Sequence, residues 1–170
     1  MASSQETILI LTTGGTIDKQ YFDALSQYQV GETMIAHLLK IARVAHPVEI
    51  EEICRKDSLE LDDRDRARIA ERVRNTDASR IVITHGTDTM TDTAAVLAGI
   101  EGKTVALVGA LAPARFAESD AMFNLGMAIA CVQAAPPGIY ITMNGSVFRG
   151  DAVRKDREKG CFVSTDTSSS

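Results

Sequence analysis

Short apolar runs rich in β-branched residues recur along the chain at 7–13, 48–53, 81–84, 105–108 and 139–142. Those at 81–84 and 105–108 are almost continuously apolar, as expected of strands buried on both faces, whereas 48–53 interleaves Val48, Ile50 and Ile53 with glutamates. Between them the period lengthens to that of a helix. Met34, Leu38, Ile41 and Ala45 mark one helix over 32–45, and Ala67, Ile69 and Val73 mark a second over 62–75; two more fall at 91–100 and 119–135. Asp62 followed by Asp65 reads as an N-cap with an acidic first turn, and Pro136-Pro137-Gly138 stops the last helix. The stretch 18–30 is polar and aromatic without either period, and it reads as a lid or binding loop.

Strands alternating with helices require right-handed crossovers, which lay parallel strands side by side with helices over both faces. The predicted fold is therefore α/β, a doubly wound, mostly parallel, flavodoxin-like sheet in three layers, α/β/α. Residues 1–163 form one domain in this reading, and the serine-rich 164–170 is a flexible tail.

A chain of 170 residues is long enough to bury about two-thirds of its unfolded surface in a single core. A net charge of −5 offers no basic footprint, which argues against nucleic acid and anionic membranes and for a small-molecule ligand. Cys54, Cys131 and Cys161 are odd in number and lack CxxC or Cys/His spacing, so neither a disulfide framework nor a metal site is expected. No cofactor is implied. The N-terminus has no basic start or long apolar region, and no run approaches the ~20 residues that span a bilayer. The expected compartment is the reducing cytoplasm.

In open parallel sheets ligands bind beyond the carboxyl ends of the strands. Here those ends carry Thr12-Thr13-Gly14-Gly15-Thr16, Lys56-Asp57-Ser58, Thr84-His85-Gly86-Thr87-Asp88-Thr89, Gly109-Ala110 and Thr142-Met143-Asn144-Gly145. Gly14 and Gly15 allow a sharp turn that presents Thr16, whose hydroxyl needs a base or a cation before it becomes a nucleophile. The same pentapeptide is equally a strand-to-loop turn with capping threonines. Asp88 suits the clamping of a substrate ammonium and Thr87 the activation of water, while Asp88 or Thr89 also suits a helix N-cap. His85 stands alone at a strand end, and with only His37 and His46 elsewhere it reads as structural rather than as catalyst or metal ligand. The Gly-x-Ser-x-Gly elbow, the P-loop and the Gly-x-Gly-x-x-Gly fingerprint are missing, which demotes a serine triad and nucleotide binding.

Thr13-Gly14-Gly15-Thr16-Ile17 and His85-Gly86-Thr87-Asp88-Thr89-Met90 together resemble the two signature motifs of the bacterial-type L-asparaginase/glutaminase family. The likeness extends through Asp57-Ser58, Val108-Gly109-Ala110-Leu111, Ser119-Asp120, Phe123-Asn124-Leu125 and Arg149-Gly150 ahead of Lys155, and it covers that family's N-terminal domain. The resemblance implies hydrolysis of L-asparagine to L-aspartate and ammonia, with L-glutamine a weaker substrate. It makes Thr16 the nucleophile and Thr87, Lys155 and Asp88 a supporting hydroxyl–amine–carboxylate group. Lys155 gets its role from this likeness alone, because by composition 154–159 reads as a solvated charged segment. A loop tyrosine is implied as well, and Tyr21 and Tyr28 are both open candidates. Asp57 and Ser58 with Asp88 would receive the substrate's backbone groups, and Gly15, Gly86 and Ala110 would line the site, with N–H groups around Gly15 and Thr87 as the oxyanion hole.

Two departures qualify the resemblance. Leu59 stands where many secreted relatives have glutamine, and the second, C-terminal domain usual in the family is expected to be absent. Self-association is the corresponding expectation. The competing reading is a non-catalytic module that binds amino acids or a partner while keeping the motifs.

Overall fold

The computed structural model describes residues 6–166. Six strands form the central sheet: β1 (Ile8–Gly14), β4 (Val48–Lys56), β5 (Arg80–Thr84), β6 (Thr104–Val108), β7 (Gly138–Met143) and β8 (Ser146–Arg149). Their order is β4-β1-β5-β6-β7-β8, parallel throughout except for β8, which returns antiparallel to β7. Four helices connect them, α1 (Ile35–Ile41), α2 (Asp63–Asn75), α3 (Met90–Leu97) and α4 (Ala121–Ala134). Two hairpins stand outside the sheet, β2 (Lys19–Phe22) with β3 (Gln27–Val30), and β9 (Val153–Asp156) with β10 (Cys161–Ser164).

Alternation along β1 divides the core in two. Leu9 and Leu11 pack with Ile69 and Val73 of α2, Met90, Ala94 and Leu97 of α3, and Val153 and Phe162 of the second hairpin. Ile8 and Ile10 face the opposite way, onto Ile35 and Leu38 of α1 and Leu125, Ala128 and Val132 of α4. Each helix hides its apolar stripe against one sheet face, which gives the three layers α/β/α. At the start of α2 the Asp62 carboxylate accepts the Arg64 and Asp65 N–H groups, while the Asp65 carboxylate accepts from Asp62 N–H, so both orphan ends are satisfied.

All five predicted strands and four predicted helices are present, with shifted ends. The first helix is shorter than the periodicity over 32–45 predicted. It stops because Arg43, just past the Ala42 C-cap, takes a left-handed φ of 52°. The stretch expected to be a loop at 18–30 is instead the β2–β3 hairpin, turning through residues 23–26 with Ser26 left-handed at φ 49°. Ser164 pairs with Val153, and Thr165 N–H donates to the Ala152 carbonyl, so the chain is still pinned at the start of the expected tail. Residues 167–170 and the expected start at 1–5 lie outside the described residues. Among the described residues no helix is long and apolar enough to cross a membrane.

From β1 the chain crosses by α1 to β4 on one side, then by α2 back past β1 to β5 on the other. Strand order therefore reverses between β1 and β5. The crevice at their carboxyl ends is the switch point where this architecture places ligands, and it is framed by the residues after Thr12 and after Thr84.

Candidate active site

The two loops at the switch point meet backbone to backbone. Gly15 has φ 81°, and a Cβ there would lie 2.4 Å from Gly86 N and 2.6 Å from Gly86 Cα. Only glycine satisfies both the left-handed backbone and that approach. Thr13 Oγ1 adds a cross-link, donating to the Thr84 carbonyl at 2.7 Å. The chain then enters a tight turn over Thr16–Asp18 in which Ile17 and Asp18 are buried and Thr16 is left partly exposed. Ile17 is anchored in the α1/α4 half of the core, and its carbonyl accepts from Ala114 N–H.

Asp18 fixes the far end of that turn. Its carboxylate accepts from Met34 N–H at 2.8 Å at the start of α1, and its carbonyl accepts from Gly31 N–H at 2.9 Å. Burial pushes its pKa up to about 6, against the opposing pull of the Met34 and Thr33 hydrogen bonds.

The third wall is the turn after β4. Gly15 N–H donates to the Lys56 carbonyl at 2.9 Å, so this amide is engaged within the fold. Asp57 accepts from Leu59 N–H and forms an ion pair with Lys19 at 2.5 Å, tying the first hairpin to the turn. Burial alone would raise the Asp57 pKa, but the Lys19 ammonium and the neighbouring N–H groups outweigh it and hold the carboxyl below its usual range. Ser58 faces Gly86, where a Cβ would lie 2.7 Å from Ser58 Oγ. That hydroxyl is buried and has no partner among the described residues, whereas the Ser58 carbonyl accepts from Thr89 Oγ1 at 2.7 Å.

Lys155 enters from the second hairpin. Its Nζ donates to Thr87 Oγ1 at 2.8 Å and to Asp88 Oδ1 at 2.7 Å, and its side chain is 17% exposed. Strand alternation explains this: Val153 is in the core, and two residues on, Lys155 points the same way, while Arg154 between them is exposed. Arg157 lies 3.7 Å from the same Asp88 oxygen.

The remaining expected residues are placed differently. Ala110 is buried in the core, leaving only its backbone to face a ligand. Tyr21 and Tyr28 are paired across the first hairpin with ring centroids 5.3 Å apart, Tyr28 also meets Phe116 edge-on at 6.2 Å, and both are about half exposed. A cavity of about 600 Å³ lined by Lys19, Tyr28, Arg55, Asp57 and Leu59 adjoins the site, and neither Thr16 nor Thr87 is in its lining. Sequence reasoning passed over Asp18, Lys19 and the tie made by Asp120. The Asp120 carboxylate accepts from Leu111 and Ala112 N–H and from Asn124 and Asn144, joining the ends of β6 and β7 to α4. Their charge directly after the first motif was the available signal for Asp18 and Lys19.

Comparison with known proteins places the chain and its fold in one family. Residues 7–167 match the family described as asparaginase, N-terminal. The chain is 32% identical over 166 residues to a glutaminase-asparaginase of Pseudomonas fluorescens biotype A, covering 87% of this chain and 45% of that protein. It is 34% identical over 161 residues to L-asparaginase 2 of Escherichia coli strain K12, covering 87% and 46%. The fold superposes on the thermostable L-asparaginase of Thermococcus kodakarensis with a TM-score of 0.80 at 27% identity, covering 93% of this chain and 51% of that one. The chain thus spans about half the length of the curated relatives it matches.

The buried Asp18 generates a stability prediction. A carboxyl pKa raised from 3.8 to about 6 means that the folded state holds a proton which the unfolded chain has released, so this group's contribution to stability falls as pH rises through that window. The whole effect amounts to roughly 3 kcal/mol. Denaturant unfolding of wild type and Asp18→Asn across pH 4 to 7 measures it. The wild type should lose stability relative to the variant between about pH 4 and 6, and a difference that stays flat or runs the other way refutes the assignment.

Proposed function

The chain belongs to the asparaginase family, and on that premise we propose that it hydrolyses the side-chain amide of L-asparagine, releasing L-aspartate and ammonia. The observation that carries the proposal is the contact of Lys155 with both Thr87 Oγ1 and Asp88 Oδ1 beside the turn that presents Thr16. A hydroxyl held by an amine and a carboxylate has the means to move protons, which a threonine nucleophile requires.

In this reading Thr16 Oγ1 attacks the carboxamide carbon. The C–N bond breaks, nitrogen leaves with a proton as ammonia, and the aspartyl group stays as an ester on Thr16. Water directed by Thr87 and Lys155 then attacks the ester, and the Thr16 oxygen leaves with a proton as L-aspartate is released. Ser58 offers its free hydroxyl to the α-carboxylate. Asp88 binds Lys155 through Oδ1 and has Oδ2 for the α-ammonium. Because Gly15 N–H is engaged by Lys56, Thr87 N–H is the better donor to the developing oxyanion, and Gly15 and Gly86 serve by their close approach.

Tyr21 and Tyr28 ride on one hairpin latched by Lys19–Asp57, so either reaches the nucleophile by movement of the same element. L-Glutamine is a further substrate in this proposal, in keeping with the glutaminase-asparaginase names of relatives. Three free cysteines fit a reducing, cytoplasmic setting. Half-exposed Tyr21, Tyr28, Phe116 and Leu111 support self-association; light scattering that gives the mass of one chain at assay concentration refutes that part.

Ammonia release from L-asparagine by the purified protein tests the activity. Thr16→Ala and Thr87→Ala, each verified as folded, are expected to lower kcat by about 10³-fold or more, since groups acting as a unit fail together. Wild-type release no greater than that of the variants leaves a binding module in place of the enzyme.

A further inference from the structure

His85 directly follows β5 beneath the site, fully buried, and the chemistry proposed above makes no use of it. Each ring nitrogen has one partner. Nδ1 lies 2.7 Å from the Gly86 carbonyl oxygen, and Nε2 lies 2.7 Å from Thr93 Oγ1 on α3. A carbonyl oxygen only accepts, so the proton of a neutral ring belongs on Nδ1, and Nε2 accepts the Thr93 hydroxyl proton. Burial does keep the ring neutral, pushing its pKa down to about 4 in spite of the Gly86 carbonyl, which pulls the other way.

The consequence lies in the next peptide. Across a trans peptide the C=O and N–H point in opposite directions, so a Gly86 carbonyl drawn in towards His85 turns Thr87 N–H outwards. That N–H has no backbone partner among the described residues. Glycine permits the Gly86–Thr87 peptide many orientations, and the imidazole bound to its carbonyl selects this one. Thr93, itself buried, fixes the far edge of the ring from α3.

We infer that His85 is a positioning residue, whose Nδ1–H holds the Gly86–Thr87 peptide so that Thr87 N–H is presented to the oxyanion formed during amide hydrolysis. This rests on the amidohydrolase reading. Removing a donor of that kind typically costs roughly 10²–10³ in rate, and a donor that is merely loosened should cost less.

Two variants separate positioning from packing. An asparagine side chain can place an N–H near the position of Nδ1, whereas glutamine reaches only towards that of Nε2. With L-asparagine, His85→Asn is expected to keep kcat within about fivefold of wild type, and His85→Gln to lower it by about 10- to 100-fold, with KM nearly unchanged in both, as for a contact realised in the transition state. In the wild type, ¹⁵N NMR should find the His85 proton on Nδ1. That spectrum is independent of turnover, so an inactive wild type would sink the amidohydrolase reading while the tautomer still reported on His85. A proton on Nε2, or a His85→Gln enzyme as active as His85→Asn, overturns the inference. If neither variant folds, the tautomer decides.

Discussion

At the centre of the molecule two strand ends approach so closely that there is no room for a side chain between them. The Gly15 backbone lies on that of Gly86, and Gly86 in turn lies against Ser58. This contact sets the separation of the three loops that make the site, and so the positions of Thr16, Ser58 and Thr87. A Cβ at either glycine would push one loop off the other by a distance that matters to chemistry, where misplacement by an ångström is costly. The sheet supplies the rest of the constraint: β1 and β5 are hydrogen-bonded neighbours as far as Thr12 and Thr84, so their loops begin in fixed register.

Onto this frame the two hairpins add charge. The second brings Lys155 from a point 68 residues beyond Thr87, seated by Val153 and Phe162 in the core and held between a hydroxyl and a carboxylate. The first is tied at its base by Asp18 to α1 and by Lys19 to Asp57. One hairpin is thus anchored by packing and the other by polar ties on a more exposed body. The proposal rests on this difference, with Lys155 as a fixed amine and the tyrosine-bearing hairpin as the less buried element.

Much of the fold was legible because buried parallel strands are continuously apolar and their helices amphipathic, as at 81–84 and 105–108, while the edge strand over 48–53 showed through its β-branched residues between glutamates. The hairpins were hidden for a physical reason. Lys19–Phe22 and Gln27–Val30 contain no buried residue, so no alternation of apolar residues marks them. In Val153–Asp156 a single buried valine is the only apolar residue of a four-residue strand. Composition therefore made Lys155 look solvated, whereas its Nζ is held between Thr87 Oγ1 and Asp88 Oδ1. The contribution of Asp57 was legible as a position but not as an interaction, because its partner Lys19 comes from a hairpin the sequence did not reveal. His85 was set aside as structural, and its two hydrogen bonds give that structural place a direction.

The claim on which the account turns is that Thr16 and Thr87 address one substrate amide from opposite sides. A crystal structure of the protein with L-aspartate bound tests this most directly. The account predicts the side-chain carboxylate of aspartate between Thr16 Oγ1 and Thr87 Oγ1, its α-carboxylate on Ser58 and its α-ammonium on Asp88. Aspartate seated away from these residues, or the two threonine hydroxyls turned into separate environments around it, would contradict it.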